Sequence, residues 1–477
     1  MKRLFLCAWL AGAAACVGDS TITPTDGGND AIAEAAPSDG SSDAGADASA
    51  TFKITVATKL TSPAQGGVTI APQGTSCGTG CYVYPAGTSV TVTGAPIGQS
   101  IFQSWLGACQ GFTNTCQFTV TKDATVTGWF RPQLNYMFVS SKKYAVSTLG
   151  MGGTLKTADD ACDALAQAAS LTGATGTYRA WLGTTTKSAP TRFVNVRGWI
   201  RVDGKPFGDV TTDFGGKGDG SYTGYPKNLY YPPRLDENGN DLVADADTKV
   251  AAGQLDTGET NSNCTDWTST AGIAYAGNLT EGVGRWAGDF DSVSCSASAR
   301  IYCFENVYNA SVTVPAPTFH MAFITVGTYT PSTLLAADTL CQNEAKAASV
   351  STWNLFKALV STSSQSAFAR LGTLGPGPFQ RPDGVEIAAT AADLGPGMVT
   401  APIDVTITKA YVEGAGVWTG GGATPNAVAM TAQDACGNWA ATSGNGVSGS
   451  ASTTKPKFYN SNTSACTMAQ RLYCVQP

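Results

Sequence analysis

Two stretches of the chain repeat one cysteine grammar. Asn263-Cys264-Thr265-Asp266-Trp267 answers Ala435-Cys436-Gly437-Asn438-Trp439, and Cys295 with Arg300-Ile301-Tyr302-Cys303 answers Cys466 with Arg471-Leu472-Tyr473-Cys474. One more cysteine precedes each set, Cys162 and Cys341, inside an Ala-rich helical pattern. The separations are 102, 31 and 8 residues in the first set and 95, 30 and 8 in the second. A cysteine frame repeated at that fidelity means two copies of one disulfide-stapled domain.

At 477 residues the chain has room for three domains of ordinary size and a tail. Its net charge of −6 is unevenly spread. Residues 17–50 carry Asp19, Asp26, Asp30, Glu34, Asp39, Asp43 and Asp47 with no Lys or Arg, which leaves the rest close to neutral. No basic stripe exists to displace counterions from a phosphate backbone, so nucleic acid is excluded as an expected partner.

Met1–Ala15 reads as an export signal: Lys2-Arg3, the apolar run Leu4–Leu10, then small residues. Ala13-Ala14-Ala15-Cys16 resembles a bacterial lipobox, departing from it at Ala13, where Leu is usual. The resemblance implies cleavage before Cys16, its acylation, and a membrane contact made through lipid; plain secretion with cleavage near Ala15 is the alternative. Val17 is not the Asp that retains some lipoproteins at the inner membrane, so the expected place is the outer membrane or cell surface. With Cys7 and Cys16 set aside, an even twelve cysteines remain, as suits an oxidising compartment.

Residues 17–50 are too poor in large apolar side chains to offset their ordering entropy and read as a disordered acidic linker. Residues 51–132 alternate with period two, as in Phe52-Lys53-Ile54-Thr55-Val56 and Ser89-Val90-Thr91-Val92-Thr93, between Gly, Pro and Asn turns. That pattern predicts a small all-β module. Gly67-Val68-Thr69, Phe102-Gln103-Ser104-Trp105 and the closing Asp123–Phe130 resemble the internalin-type B-repeat of bacterial surface proteins. Cys77 with Cys81 and Cys109 with Cys116 are expected to pair locally, with a four-cysteine zinc site as the alternative.

Residues 135–306 and 318–477 hold the copies, joined by a linker at 307–317 whose Pro content predicts stiffness. Each copy opens with a short strand, Met137–Ser140 or Ala322–Thr325, and then enters a helix. Thr157 and Asp160 suggest a capping box for the first helix, and Thr330-Pro331 a start for the second. A shared turn follows, Arg201-Val202-Asp203-Gly204 against Arg381-Pro382-Asp383-Gly384. Sequence alone leaves three connectivities open in each copy. The frame resembles the C-type-lectin-like fold and, within it, the bacterial endostatin-like domain of unassigned function. The expected class is therefore an all-β module followed by two α+β lectin-like domains. The resemblance implies the pairs Cys162–Cys303, Cys264–Cys295, Cys341–Cys474 and Cys436–Cys466, and a role in binding host matrix or complement-regulatory proteins.

Functional residues are harder to find. Neither copy has the paired triplets by which true C-type lectins hold calcium and sugar, and no cofactor is expected. Residual calcium near Asp236, Asn238, Asn240 and Asp241 competes with an Asn238-Gly239 turn flanked by solvated acids, which is preferred. The zinc histidines of endostatin have no counterpart; His320 stands alone and is expected at a surface or between domains. Trp267 and Trp439 are expected in cores beside their disulfides, whereas loop-borne Trp286 and Trp418 are expected to be exposed. Tyr222, Tyr225, Tyr230 and Tyr231 crowd one irregular loop and suit ligand contact, with self-packing as an even alternative. One His cannot serve a nucleophile in two domains, and the cysteines are committed, so an enzyme is not expected. Carboxylate pairs, Asp289 with Asp291 or Asp236 with Glu237, lack a recognisable motif, and Gly215–Gly220 lacks the phosphate-loop pattern. The leading expectation is a cell-surface lipoprotein that binds protein or glycan ligands through the loops of its two lectin-like copies. A structural envelope protein and a carbohydrate-active enzyme are the alternatives.

Overall fold

Alternating Val, Ile, Thr and aromatic residues build strands with one buried face. The computed structural model describes residues 50–477 except 215–228, 245–246, 253–262, 283–284, 288–290 and 455. Cys16, the acidic linker and Tyr222, Tyr225 and Asp289 thus lie outside the described residues. The protein is multidomain and mainly sheet, with few helices. No helix among the described residues is long and apolar enough to cross a membrane.

The N-terminal module contains β1 (Thr51–Leu60), β2 (Gln65–Ala71), β3 (Thr75–Gly78), β4 (Cys81–Pro85), β5 (Ser89–Ile97), β6 (Ser100–Gly107), β7 (Thr115–Thr119) and β8 (Ala124–Pro132). They form a five-stranded sheet, β3-β4-β1-β8-β6, and a three-stranded sheet, β2-β5-β7. Ile54, Val90, Val92, Trp105 and Val126 fill the space between them. Disulfides join Cys77 to Cys81 and Cys109 to Cys116.

The next strands are β9 (Asn135–Val139), β10 (Tyr144–Ala145), β11 (Tyr178–Ala180), β12 (Trp199–Arg201), β13 (Pro206–Gly208), β14 (Lys249–Ala251), β15 (Ile273–Asn278), β16 (Asp291–Ser294) and β17 (Ser298–Glu305). After the linker come β18 (His320–Ile324), β19 (Lys357–Ala358), β20 (Phe379–Gln380), β21 (Glu386–Ala388), β22 (Gly416–Trp418), β23 (Asn445–Ser450), β24 (Asn462–Ala465) and β25 (Arg471–Val475). The first group is ordered β13-β12-β9-β17-β14-β15-β16 and the second β21-β20-β18-β25-β22-β23-β24. The two orders are the same, position for position. The disulfides Cys162–Cys303 and Cys341–Cys474 pin each early helix to the last strand, and Cys264–Cys295 and Cys436–Cys466 close the inner loops. These are the pairs that the resemblance implies.

Equivalent side chains repeat the same bonds. Asp159 accepts from the Ala180 N–H at 2.9 Å and pairs with Arg192, as Asp338 accepts from the Ala358 N–H at 2.9 Å and pairs with Arg370. Both helices start differently from the sequence expectation. The first, Lys156–Ala168, has Leu155 at its N-cap with no side-chain cap, because Leu155 is drawn into the core and Asp160 pairs with Lys156 instead. The second, Leu334–Ala347, begins after Thr333, whose hydroxyl accepts from the Ala336 N–H, and not at Thr330-Pro331. A side-chain cap satisfies one orphan N–H wherever tertiary packing sets the start.

The modules are joined by buried polar contacts. Arg131 of β8 grips Glu305 of β17. The Gln103 amide donates to the Ser170 and Leu171 carbonyls at 2.9 and 2.8 Å. The shared turn does one job twice. Gly204 (φ +86°) packs on the Ser62 carbonyl before the first copy, and Gly384 (φ +92°) on the Pro315 carbonyl before the second. A β-carbon would collide with either oxygen, so Gly204 seats the β1–β2 turn of the β module and Gly384 seats the linker that enters the second copy.

Candidate functional site

Trp267 and Trp439 are fully buried. Their indoles donate to Gly183 and Ser361 carbonyls at 2.7 and 2.8 Å. Each ends a left-handed turn of four residues: φ is +55°, +52°, +52° and +66° over Cys264–Trp267, and +46°, +63°, +55° and +72° over Cys436–Trp439. Left-handed backbone costs roughly 1–2 kcal/mol per non-glycine residue, so it persists only where neighbours over-determine it. Here the holders are the disulfide, the indole, and Asp266 or Asn438. Asp266 accepts from the Thr185 N–H at 2.7 Å and Asn438 from the Ser363 N–H at 2.8 Å. These turns position the sheet edge formed by β15–β16 and by β23–β24.

Trp286 and Trp418 are not exposed; they are 1% and 0% accessible. Trp286 donates to the Phe214 carbonyl at 2.8 Å and packs on Trp181 and Phe207. Trp418 lies on β22 against Trp439. Both side chains point from short strands or loops into a core that only the closed sheet defines. Neither can stack on a ligand. Tyr230 and Tyr231 also turn inward, at the boundary between the copies: the Tyr231 hydroxyl accepts from the Glu386 N–H at 2.9 Å, and burial pushes its phenol up to about 12. Tyr231 packs with Val385 and Ala401 of the second copy. The tyrosines seen here join the copies and do not face outward.

The loop at Asp236 is a turn, with Gly239 at φ +83°; Asp241 is exposed as expected, but Asp236 is buried and not solvated. One Asp236 oxygen accepts from the Asn238 and Asn240 N–H groups at 2.9 and 2.8 Å, and the other from the Asn240 amide. Asp241 is held by Arg234. Donors therefore occupy the oxygens that a cation would need. Glu237 bonds Ser141, and Asp291 pairs with Lys249, while Asp289, the expected partner of Asp291, lies outside the described residues. Among the described residues no group of three or more His, Cys, Asp or Glu could hold a metal ion. His320, half-buried on β18, stacks on Phe379.

Two openings among the described residues lie beside these elements. A cleft of about 820 Å³ lies where the β module, both copies and the linker meet, bordered by Gln65, Gln99, Tyr231, Pro315 and Glu386. Its one ionised wall is already engaged, since Glu386 faces Lys205 at 3.4 Å. A groove of about 440 Å³ runs over β22, β23 and β24, between Gly416, Ser448, Ser450, Asn462 and Ser464, with Gln470 beneath it. Gln470 is 8% accessible, and its side-chain oxygen has no hydrogen-bond partner. A buried acceptor without a donor costs about 1–3 kcal/mol, which marks the groove as unfinished in the free protein.

The register explains why the groove exists in this copy. Val250 pairs with Arg300 as Val417 pairs with Arg471, so Lys249 and Gly416 occupy one position. By the same register Ala276 matches Ser448, Asp291 matches Asn462, and Val293 matches Ser464. In the first copy Lys249 reaches across β15 to Asp291 at 2.7 Å and covers the face. In the second, Gly416 leaves that face open. Sequence reading had no access to this difference, because Lys249 and Gly416 lie in stretches that differ in length between the copies. No family model matches this chain, and no curated protein matches it.

Proposed function

We propose that this is a lipid-anchored recognition protein of the cell envelope, tethered through Cys16 at the outer membrane or cell surface. Its two copies are C-type-lectin-like, of the endostatin-like kind, behind a module of the internalin B-repeat kind. It binds extracellular protein or glycan ligands and does not catalyse a reaction. One observation carries this reading: the second copy keeps the frame of the first but trades the Lys249–Asp291 pair for Gly416 and Asn462, opening a polar groove. Duplication with one face closed and one face open suits a scaffold whose second copy does the binding. The contact surface moves accordingly, from the tyrosine loop to β22–β24.

The structural-envelope reading draws on a different observation, the buried ion pair and the glycine seats that fix each module to the next. Arrays of glycans and matrix proteins probed with the full chain separate the two. Bound spots support recognition; silence on both arrays favours the envelope role, and sugar release from a polysaccharide panel would revive an enzyme. Inhibition of lipoprotein signal peptidase, followed by protease shaving of intact cells, tests the anchor and the exposure.

A further inference from the structure

We infer that the Gly416 groove is a metal-independent site for a sugar residue; this rests on the recognition reading and names its ligand class. Its size lies in the ~300–1,000 Å³ range of small-ligand sites. The walls are short hydroxyl and amide side chains, Ser448, Ser450, Asn462 and Ser464, on paired strands that fix their spacing. Such groups both donate and accept, which complements a ligand whose hydroxyls do the same. A protein partner would anchor instead through a large apolar or aromatic side chain in a matching pocket. The groove has no such pocket: its apolar surface is small, with Met468 54% exposed at the rim, where it can meet the C–H face of a ring.

Three features point to a ligand and not to a casual surface dip. The Gln470 side-chain oxygen lies packed beneath Gly416 without a donor, and a turn of its amide toward the groove lets a ligand hydroxyl supply one. The equivalent face of the first copy is spanned by a lysine, with Ala276 and Val293 where the second copy has Ser448 and Ser464. Polar groups thus appear where the lysine has gone. Finally, Arg285 of the first copy borders the groove near Gly414, with Glu281 at 3.8 Å from it, so the neighbouring copy frames the opening. No carboxylate cluster is needed to bind, so chelators leave the site intact.

The test is saturation-transfer NMR of the purified full chain with EDTA present, against a panel of neutral hexoses, N-acetylhexosamines, their disaccharides and one uronic acid. At least one sugar is expected to show transfer at millimolar concentration; the uronic acid arm reports whether Arg285 and Arg471 add a preference for charge. Gly416→Lys combined with Asn462→Asp rebuilds the first copy's covering pair. The new β-carbon pushes the end of the flexible Gln470 side chain aside; the melting temperature is expected to stay within a few degrees and binding to weaken by tenfold or more. Gln470→Ala, which installs the residue found at Ala299, is expected to weaken it about tenfold, the loss of one hydrogen bond to a buried acceptor. Transfer unchanged in both variants would overturn the assignment. If proteins bind on the arrays while every sugar is silent, the ligand class falls and recognition stands; if neither binds, both fall.

Discussion

Arg131 closes the last strand of the β module and Glu305 closes the last strand of the first copy, and their side chains meet in a two-point ion pair at 2.8 and 2.7 Å, each 3% accessible. Glu305 also accepts from the Tyr136 N–H at 2.8 Å, and Arg131 donates to the Leu134 carbonyl at 2.7 Å. The β module is therefore held by charges that neither partner can expose without loss.

Removing one partner strands the other. Arg131→Ala or Glu305→Ala is expected to lower stability by about 3–5 kcal/mol, whereas the apolar pair Arg131→Met with Glu305→Leu is expected to lie near wild type. Urea unfolding followed by tryptophan fluorescence checks this. A loss below about 1 kcal/mol for the single variants would show that the joint is solvated.

The left-handed turn gives a test between copies. Thr265 and Gly437 hold equivalent positions, with φ of +52° and +63°, and a β-branched residue is strained there. Thr265 is exposed, so Thr265→Gly is expected to stabilise the chain by about 1 kcal/mol. Gly437→Thr is expected to cost at least as much, since a β-carbon there also meets Ala441. Thermal melts of both variants measure the pair of opposite signs.

Removing the long clasp costs more than removing the short one. Cys162→Ala with Cys303→Ala opens a separation of 141 residues, worth about 5 kcal/mol of loop entropy; Cys264→Ala with Cys295→Ala opens 31, worth about 4 kcal/mol. The inner clasp also holds the left-handed turn, so its loss is expected to expose Trp267 to quencher. Unfolding midpoints and acrylamide quenching of the two double variants read the order.

One guanidinium serves two carboxylates in the second copy. Arg381 bonds Asp383 at 2.7 Å and Asp404 at 2.7 Å. Burial raises the Asp404 carboxyl to about 7, against the pull of Arg381 and with the help of Asp383. Burial also acts upward on Asp383, but the charge and hydrogen bonds of Arg381, with those of Tyr411 and Val385, bring it below the usual carboxylate value. A raised folded-state carboxyl favours the protonated fold, so stability falls as pH rises from about 4 through 7; the Asp383 contribution is present above about 4 and is lost as pH drops through its lower folded value. Asp404→Asn is expected to flatten the melting temperature between pH 5 and 8. An unchanged slope in that variant would place the titration elsewhere.

How far the chain could be read follows from which forces are local. The cysteine frame and the period-two strands of the β module come from covalent spacing and alternation, which a sequence displays directly. The left-handed turns left a faint signal in Cys-Thr-Asp-Trp and Cys-Gly-Asn-Trp, since Asp, Asn and Gly tolerate positive φ. Trp286 and Trp418 were misread because their burial depends on Phe214, Trp181 and Trp439, residues distant in sequence that the sheet brings together. For Tyr231 the sequence leaves ligand contact and self-packing equally open, because nothing nearby announces Glu386 as its partner. Gly416 became meaningful only when strand register matched it to Lys249 of the first copy.

Hydrogen–deuterium exchange of the full chain, with and without the strongest sugar of the panel, addresses the central claim that the second copy alone is open for recognition. Protection is expected over 445–471, with 273–300 unchanged. Protection centred on Tyr231 and Glu386 at the three-module cleft, or on the first copy, would contradict it.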